Sequence, residues 1–286
     1  MKCIGLYVKK DAEALRKADA LEKWLNSKNI SVVRAQSYSP DDPGNQNNIV
    51  NKSAPEGLSC VFVLGGDGTF LSASRWVGKH RVPLIGVKFG EVGFLAVTAG
   101  KNLFSAARRV LDDDYVIEER SRLLVKVIRE EKEIACETVL NDVVINKGAL
   151  ARLADIETYI NDHYLTTYRS DGLIVASPTG STAYSLAAGG PVMHPEVQGI
   201  IINPICPFTL TNRCMILPNT ARIKIRLVDK TTDIFITFDG QKVIEISDKD
   251  TIFISKSPHP VKIINFPDQN YFDILKTKLR WSGGRI

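Results

Sequence analysis

The sequence predicts an α/β N-terminal domain with a parallel sheet, a β-rich sandwich domain after it, and a C-terminal segment that returns to the first domain. Three observations carry this expectation. Over residues 1–114, short apolar runs alternate with amphipathic stretches, the pattern of a parallel sheet covered by helices on both faces. Over residues 115–265, apolar positions alternate singly in short segments at hairpin spacing, the period of half-buried strands. Residues 266–286 carry one helical stretch, 270–278, expected to pack on the first domain. The chain of 286 residues also exceeds one common domain of ~100–150 residues.

The first domain opens with a strand over Lys2–Val8. A helix follows over Asp11–Lys28, with Asp11 as its cap and Ala14, Ala18, Leu21 and Leu25 on one face. Ile30–Arg34 is a short strand, and the polar, Pro-, Asn- and Gly-rich residues 37–56 read as a surface loop. The apolar run Cys60–Leu64, within a strand at 59–64, leads into Gly65-Gly66-Asp67-Gly68-Thr69-Phe70 and a helix over 69–79. A strand at 83–88, a glycine-rich stretch at 90–93 and a helix at 101–112 complete the domain. In the second domain, Leu123, Val125 and Val127 alternate, as do Ile156, Thr158 and Ile160 before a turn at Asn161-Asp162-His163. Arg222–Val228, Ile234–Phe238, Val243–Ile246 and Thr251–Ser255 are further short strands. A buried strand at 173–176 feeds the turn Pro178-Thr179-Gly180-Ser181-Thr182 and then a helix of small residues.

Composition excludes several classes. Hydrophobic residues make up 44% and charged residues 24%, ordinary for a soluble globular protein. The opening apolar run is too short for a signal peptide, and no segment approaches the ~18 apolar residues of a membrane span. Five cysteines without a Cys-x-x-Cys pair point to reduced thiols in a cytoplasmic protein. The net charge of +5 suits an anionic ligand, but the basic residues are scattered, which argues against nucleic acid. The four histidines have no metal-ligand spacing with cysteine or acidic residues. Trp24 reads as core or boundary packing on a helix face, Trp76 as core, and Trp281 in the tail as an oligomer contact or a capped end.

The turn at 65–69 carries the chemistry. Glycines let backbone N–H groups approach an anion, and a helix start adds partial positive charge. Gly65, Gly66, Gly68 and Thr69 can therefore hold the phosphates of a donor. Asp67 would repel phosphate there unless it takes a proton from an attacking hydroxyl or holds a metal ion. The plainer alternative is an Asp that caps the helix. The spacing is neither a Gly-Lys-Ser/Thr phosphate loop nor a Gly-x-Gly-x-x-Gly fingerprint. Because the turn contains no lysine, a divalent ion, Mg²⁺, is expected to supply the missing positive charge. In the longer stretch 170–191, the hydroxyls of Ser177, Thr179, Ser181 and Thr182 offer donors for ribose and phosphate oxygens, and Tyr184 can stack on a base.

These stretches together resemble the NAD kinase family. The resemblance rests on Gly65-Gly66-Asp67-Gly68-Thr69, Asn141-Asp142, and the run from Asp171-Gly172 through Ser177-Pro178-Thr179-Gly180-Ser181-Thr182-Ala183-Tyr184-Ser185 to Gly189-Gly190-Pro191. Gly86-Val87, Gly90-x-x-Gly93-Phe94-Leu95, Pro204-Ile205-Cys206-Pro207, Thr211-Asn212-Arg213 and Asp239-Gly240-Gln241 extend it over nearly the whole chain. The resemblance implies transfer of a phosphoryl group from ATP or polyphosphate to the 2′-hydroxyl of the adenosine ribose of NAD, giving NADP. It implies Asp67 as the proton acceptor. It implies NAD contacts from Asp67, Gly68, Phe94, Asn141, Asp142, Arg152, Arg169, Asp171, Thr182, Ala183, Tyr184, Ser185, Leu186, Ala187 and Gln241. It also implies a homo-oligomer, a dimer or tetramer. The chain departs from the pattern at Asp142, where Glu is usual, at Glu91, where His is common, and at Lys88-Phe89, where Asn and a small residue are usual. A lipid or sugar kinase would explain the Gly-Gly-Asp-Gly turn but not the long motif. A non-catalytic NAD(P) sensor would have no need of Asp67.

Overall fold

The computed structural model describes residues 2–37, 53–90, 93–148, 153–228 and 233–281. The chain divides into two compact units, one of residues 1–119 with 261–286 and one of residues 120–260. Glu91, Arg152 and most of the 37–56 loop lie outside the described residues.

Unit 1 begins with β1 (Cys3–Val8), α1 (Ala12–Asn26), β2 (Ser31–Gln36), β3 (Cys60–Leu64) and α2 (Asp67–Val77). It continues with β4 (Leu84–Lys88), β5 (Thr98–Ala99), α3 (Leu103–Leu111) and β6 (Val116–Arg120). Asp11 caps α1, accepting the Ala14 N–H at 2.9 Å, and the buried face is Ala14, Ala18, Leu21 and Leu25, as the 3.6-residue period predicts. The sheet runs β2-β1-β3-β4, then the strand Val261–Asn265, then β6, with β5 beside β4. The pairs β1–β2, β1–β3 and β3–β4 are parallel. All five residues of β3 are buried, which is why this strand reads as a continuous apolar run rather than an alternating one. Trp76 packs at a tilt against Tyr7 with ring centroids 5.5 Å apart, and Trp24 meets Phe104 edge-on.

Two element expectations change in unit 1. The sequence placed residues through 265 in the second domain, but Val261–Asn265 pairs in parallel with β4. Ile264 in it and Phe266 just after it join the first core, and that burial outweighs its position in the chain. The helix Tyr271–Leu279 follows it, with the Asn270 side chain accepting the Phe272 N–H. The second change is that α2 starts at Asp67, not Thr69, because Gly66 is extended and serves as N-cap.

Unit 2 is a sandwich of two six-stranded sheets. One runs His163–Ser170, Ala154–Ile160, Ile223–Leu227, Asp250–Lys256, Leu123–Arg129, Lys132–Val139. The other runs Met215–Pro218, Gly199–Ile205, Gly172–Ala176, Asp142–Lys147, Ile234–Phe238, Lys242–Ile246. Both are antiparallel throughout. Alternate residues of both sheets, among them Leu123, Val125 and Val127 from one and Val143, Ile145 and Val175 from the other, form one core. The turn expected over 178–182 is a 3₁₀ turn at Thr179–Thr182, and the small-residue helix expected after it is one α turn at Tyr184–Ala187. Gly189, at φ +80°, and Pro191 stop it there. Among the described residues no helix is long and apolar enough to cross a membrane.

Candidate active site

In unit 1, β3 ends at Leu64 and the chain turns through Gly65 and Gly66 into α2. Asp67 is the first residue of that helix, yet α2 has no side-chain cap. Its carboxylate instead accepts three backbone N–H groups from the segment before β5. Oδ2 accepts from Phe94 at 3.0 Å, and Oδ1 accepts from Leu95 at 3.1 Å and from Ala96 at 3.0 Å. This decides against the plain capping alternative. The close approach needs Gly93, because a β-carbon there would overlap Oδ1 and Cγ of Asp67. The Gly93 N–H is tied to the Ala96 carbonyl at 3.0 Å, so the donor segment is itself a closed turn. Gly65 is buried with the Thr69 side chain folded against it, and Gly68 is exposed. The structure thus brings Gly65, Gly66, Asp67, Gly68, Thr69 and Phe94 into one cluster.

In unit 2 the organising residue is Asp239, buried in the turn after Ile234–Phe238. Its carboxylate accepts the N–H groups of Leu140 (3.0 Å), Asn141 (2.8 Å) and Asp142 (3.3 Å). That clamp fixes the backbone of the Asn141-Asp142 pair. Arg122, 1% exposed, donates its Nε to the His259 carbonyl at 2.7 Å. Burial pulls the Arg122 guanidinium down to about 10, and the charge of Asp239 opposes that shift. Asn141 is half-buried, and its carbonyl accepts the Ser177 N–H at 2.8 Å. Gly180 packs so closely on Asn141 that no β-carbon fits. Asp142 is buried at 4% exposure, beside Asp239 and with the Tyr184 N–H donating to it.

Burial, reinforced by the charge of Asp239, pushes the Asp142 carboxyl up to about 7. In the unfolded chain it ionises near 3.8. Between those values the folded chain binds the proton that the unfolded chain has released. Stability from this group is therefore fully present below the lower value and lost as pH rises through about 7. The melting temperature of Asp142→Asn should fall less than that of the parent between pH 5 and pH 8, measured by calorimetry in matched buffers. Parallel pH profiles would contradict the assignment.

The remaining expected residues lie on the same sandwich. Thr182, Ala183 and Leu186 are half-buried, and Tyr184 and Ala187 are exposed. Ser185 is fully buried, with its carbonyl accepting from Asn203 Nδ2 and the Gly190 N–H. Its hydroxyl also accepts from Asn203 Nδ2, at 3.5 Å, so the side chain serves the turn. The hydroxyls of Ser177 and Ser181, expected to face a ligand, are turned inward: Ser177 donates to the Leu140 carbonyl and Ser181 to the Met193 carbonyl. Two buried hydroxyls must find acceptors, and the nearest are main-chain. Arg169 and Asp171 flank the buried Ser170 on the strand end. Arg169 stacks on Phe208 at 5.7 Å, and the Asp171 N–H bonds the Ile205 carbonyl. Gln241 is half-buried, two residues past Asp239. Sequence reasoning missed Gly93 and Asp239 as structural keys, although both stood in quoted motifs. Only long-range hydrogen bonds distinguish them from their neighbours.

A parallel sheet whose carboxyl edge presents a glycine turn and an amide-held carboxylate is the framework of a phosphotransferase. The comparisons agree. Residues 4–115 match the ATP-NAD kinase N-terminal domain and residues 140–266 the ATP-NAD kinase C-terminal domain. The chain is 53% identical to an NAD kinase of Desulfatibacillum aliphaticivorans, with both chains covered in full. It is 44% identical to an NAD kinase of Syntrophobacter fumaroxidans, covering 96% of this chain and 97% of the relative. Yeast NADH kinase complexed with NADH shares the fold at TM-score 0.82 and 23% identity, over 100% of this chain and 89% of that one. The chain belongs to the NAD kinase family, phosphotransferases that convert NAD to NADP.

Proposed function

We propose that Asp67 accepts the proton of the 2′-hydroxyl on the adenosine ribose of NAD as that oxygen attacks the terminal phosphorus of ATP. The new oxygen–phosphorus bond forms, the bond from that phosphorus to the bridging oxygen breaks, and ADP leaves with the bonding pair. The observation that carries this reading is the seating of Asp67. A carboxylate offers about four acceptor positions, and three are taken by the N–H groups of residues 94–96. One position remains, on Oδ2, held in a fixed direction. The description of both matched domains as ATP-NAD kinase supports ATP as donor over inorganic polyphosphate.

The residues fit a Mg²⁺ ion that arrives with the phosphates. Among the described residues no three His, Cys, Asp or Glu side chains gather into a cage, and Mg²⁺ commonly keeps its waters and binds through phosphate oxygens with one or two carboxylates. Bound there, the ion would neutralise charge on the transferring group. With a single Oδ2 position left, Asp67 serves as base, and phosphate oxygens and water would hold the ion. Backbone N–H groups at Gly66, Gly68 and Thr69 steady the phosphates at the start of α2, while the Gly65 N–H, expected among them, is held by the Val87 carbonyl and shapes the turn.

On the NAD side, Asn141 and Asp142, held by Asp239, take the ribose and adenine. Thr182–Ala187 frame them, with Tyr184 stacking on a ring. Phe94, Arg169, Asp171 and Gln241 complete the contacts. Five free cysteines support a reducing, cytoplasmic setting. By family membership we expect a homo-oligomer. Asp142→Ala should raise the KM for NAD by about 5–150-fold, the equivalent of losing one buried hydrogen-bond partner at ~1–3 kcal/mol. An unchanged KM would remove Asp142 from the NAD contacts. The function itself is tested by NADP formation in a coupled assay, with ATP or inorganic polyphosphate and with or without Mg²⁺. No NADP under any condition would end the proposal.

A further inference from the structure

We infer that Lys88 grips the phosphate chain of the donor above the glycine turn, supplying the cation that the turn itself lacks. This rests on the reading of residues 65–69 as the donor-binding turn. Lys88 is the last residue of β4. Strands β3 and β4 are parallel neighbours with Leu64 opposite Val87, and the Gly65 N–H bonds the Val87 carbonyl at 2.9 Å. Lys88 therefore leaves the sheet at the level where β3 passes into the turn.

The side chain then reaches over Gly66. A β-carbon built on Gly66 would lie 3.5 Å from Lys88 Cε and 3.9 Å from Nζ. Apart from the immediate chain neighbours of Gly66, no other heavy atom of the described residues comes within 4 Å of that point. The space beside the glycine is open, and a single ammonium bounds it. No hydrogen bond or ion pair joins the Lys88 side chain to another described residue. Gly66 is also the N-cap of α2, and it brings no side-chain cap to the first turn. One helix start, one open glycine face and one ammonium thus meet at the same place.

The chemistry matches phosphate more closely than any neutral ligand. Phosphoryl transfer depends on placing positive charge along the phosphate chain, and a lysine ammonium is a compact point charge suited to that. Asp67 puts a negative charge at the same turn, which opposes an incoming phosphate. Lys88, across the turn from it, offsets that repulsion. The departure at position 88, seen in the sequence as a loss of the usual Asn, becomes a gain on the donor side.

The test is Lys88→Met, with Lys88→Arg as the charge-retaining control. The KM for ATP should rise about 10–100-fold in Lys88→Met, the range for losing one charge-assisted contact, while the KM for NAD stays within about twofold. Inorganic polyphosphate, if it serves as donor, should show the same loss, because the shared phosphate chain is what Lys88 contacts. Lys88→Arg should retain most of the affinity. Calorimetric titration of tripolyphosphate into each protein reads binding without turnover, and Lys88→Met should weaken it by a comparable factor. Unchanged tripolyphosphate affinity and unchanged ATP KM would overturn the inference. So would equal losses for ATP and NAD with a lowered melting temperature, the mark of a merely structural lysine. If the parent enzyme makes no NADP, the reading of the turn fails, and the tripolyphosphate titration still decides for or against Lys88.

Discussion

Replacing Asp67 by asparagine is expected to lower turnover by about 10²–10⁴-fold, the usual contribution of a positioned general base. Fold and NAD affinity should persist. Asparagine keeps an oxygen that can accept the Leu95 and Ala96 N–H groups now bonded to Oδ1. Its amide NH₂ then takes the place of Oδ2 and meets the Phe94 N–H, a donor facing a donor. That mismatch costs some local order, so a melting curve belongs beside the kinetics. The decisive pair of measurements is kcat for NADP formation and NAD binding by calorimetry. Turnover near the parent value, with NAD still bound, would show that Asp67 does not take the proton.

Gly93→Ala is expected to act on the same carboxylate from the other side. The added methyl would occupy the volume of Asp67 Oδ1. Either the carboxylate or the 93–96 turn must then move, and the three N–H donors with it. Misplacing a reacting group by ~1 Å can cost about 10²-fold, so kcat should fall by roughly that factor. Overpacking of this kind also costs ~1–3 kcal/mol of stability, seen as a lower melting temperature. The two readouts separate a positioning role from simple unfolding: at a temperature where the variant is fully folded, the kcat loss should remain. If it disappears there, Gly93 matters only for folding.

The early elements were legible in the sequence for local reasons. The face of α1 followed from apolar residues at helical spacing, and its start from Asp11 ahead of the run. The buried β3 followed from five consecutive apolar residues, and the glycine turn after it needed no tertiary information to be noticed. Helix and strand ends shifted by a residue or two, since capping depends on backbone angles that composition does not specify. The length of the small-residue helix after the 178–182 turn was not legible. Inward-facing hydroxyls and Gly189 confine it to a single turn. Tertiary hydrogen bonds overrode propensity there.

The glycine-flanked acid, the long small-residue motif and the division into an α/β part and a β-rich part were already written in the order of the residues. Each depends on contacts between near neighbours in the chain, so periodicity and spacing reveal them. What holds the acid was decided only by folding. The N–H groups on Asp67 come from residues 27–29 positions further on. Asp239 clamps residues 97–99 positions before it, Lys88 reaches Gly66 from the adjacent strand, and Val261–Asn265 completes a sheet begun at the other end of the chain. Hydrogen bonds and charges act through space over a few ångströms, and no one-dimensional pattern records which distant backbone will arrive there.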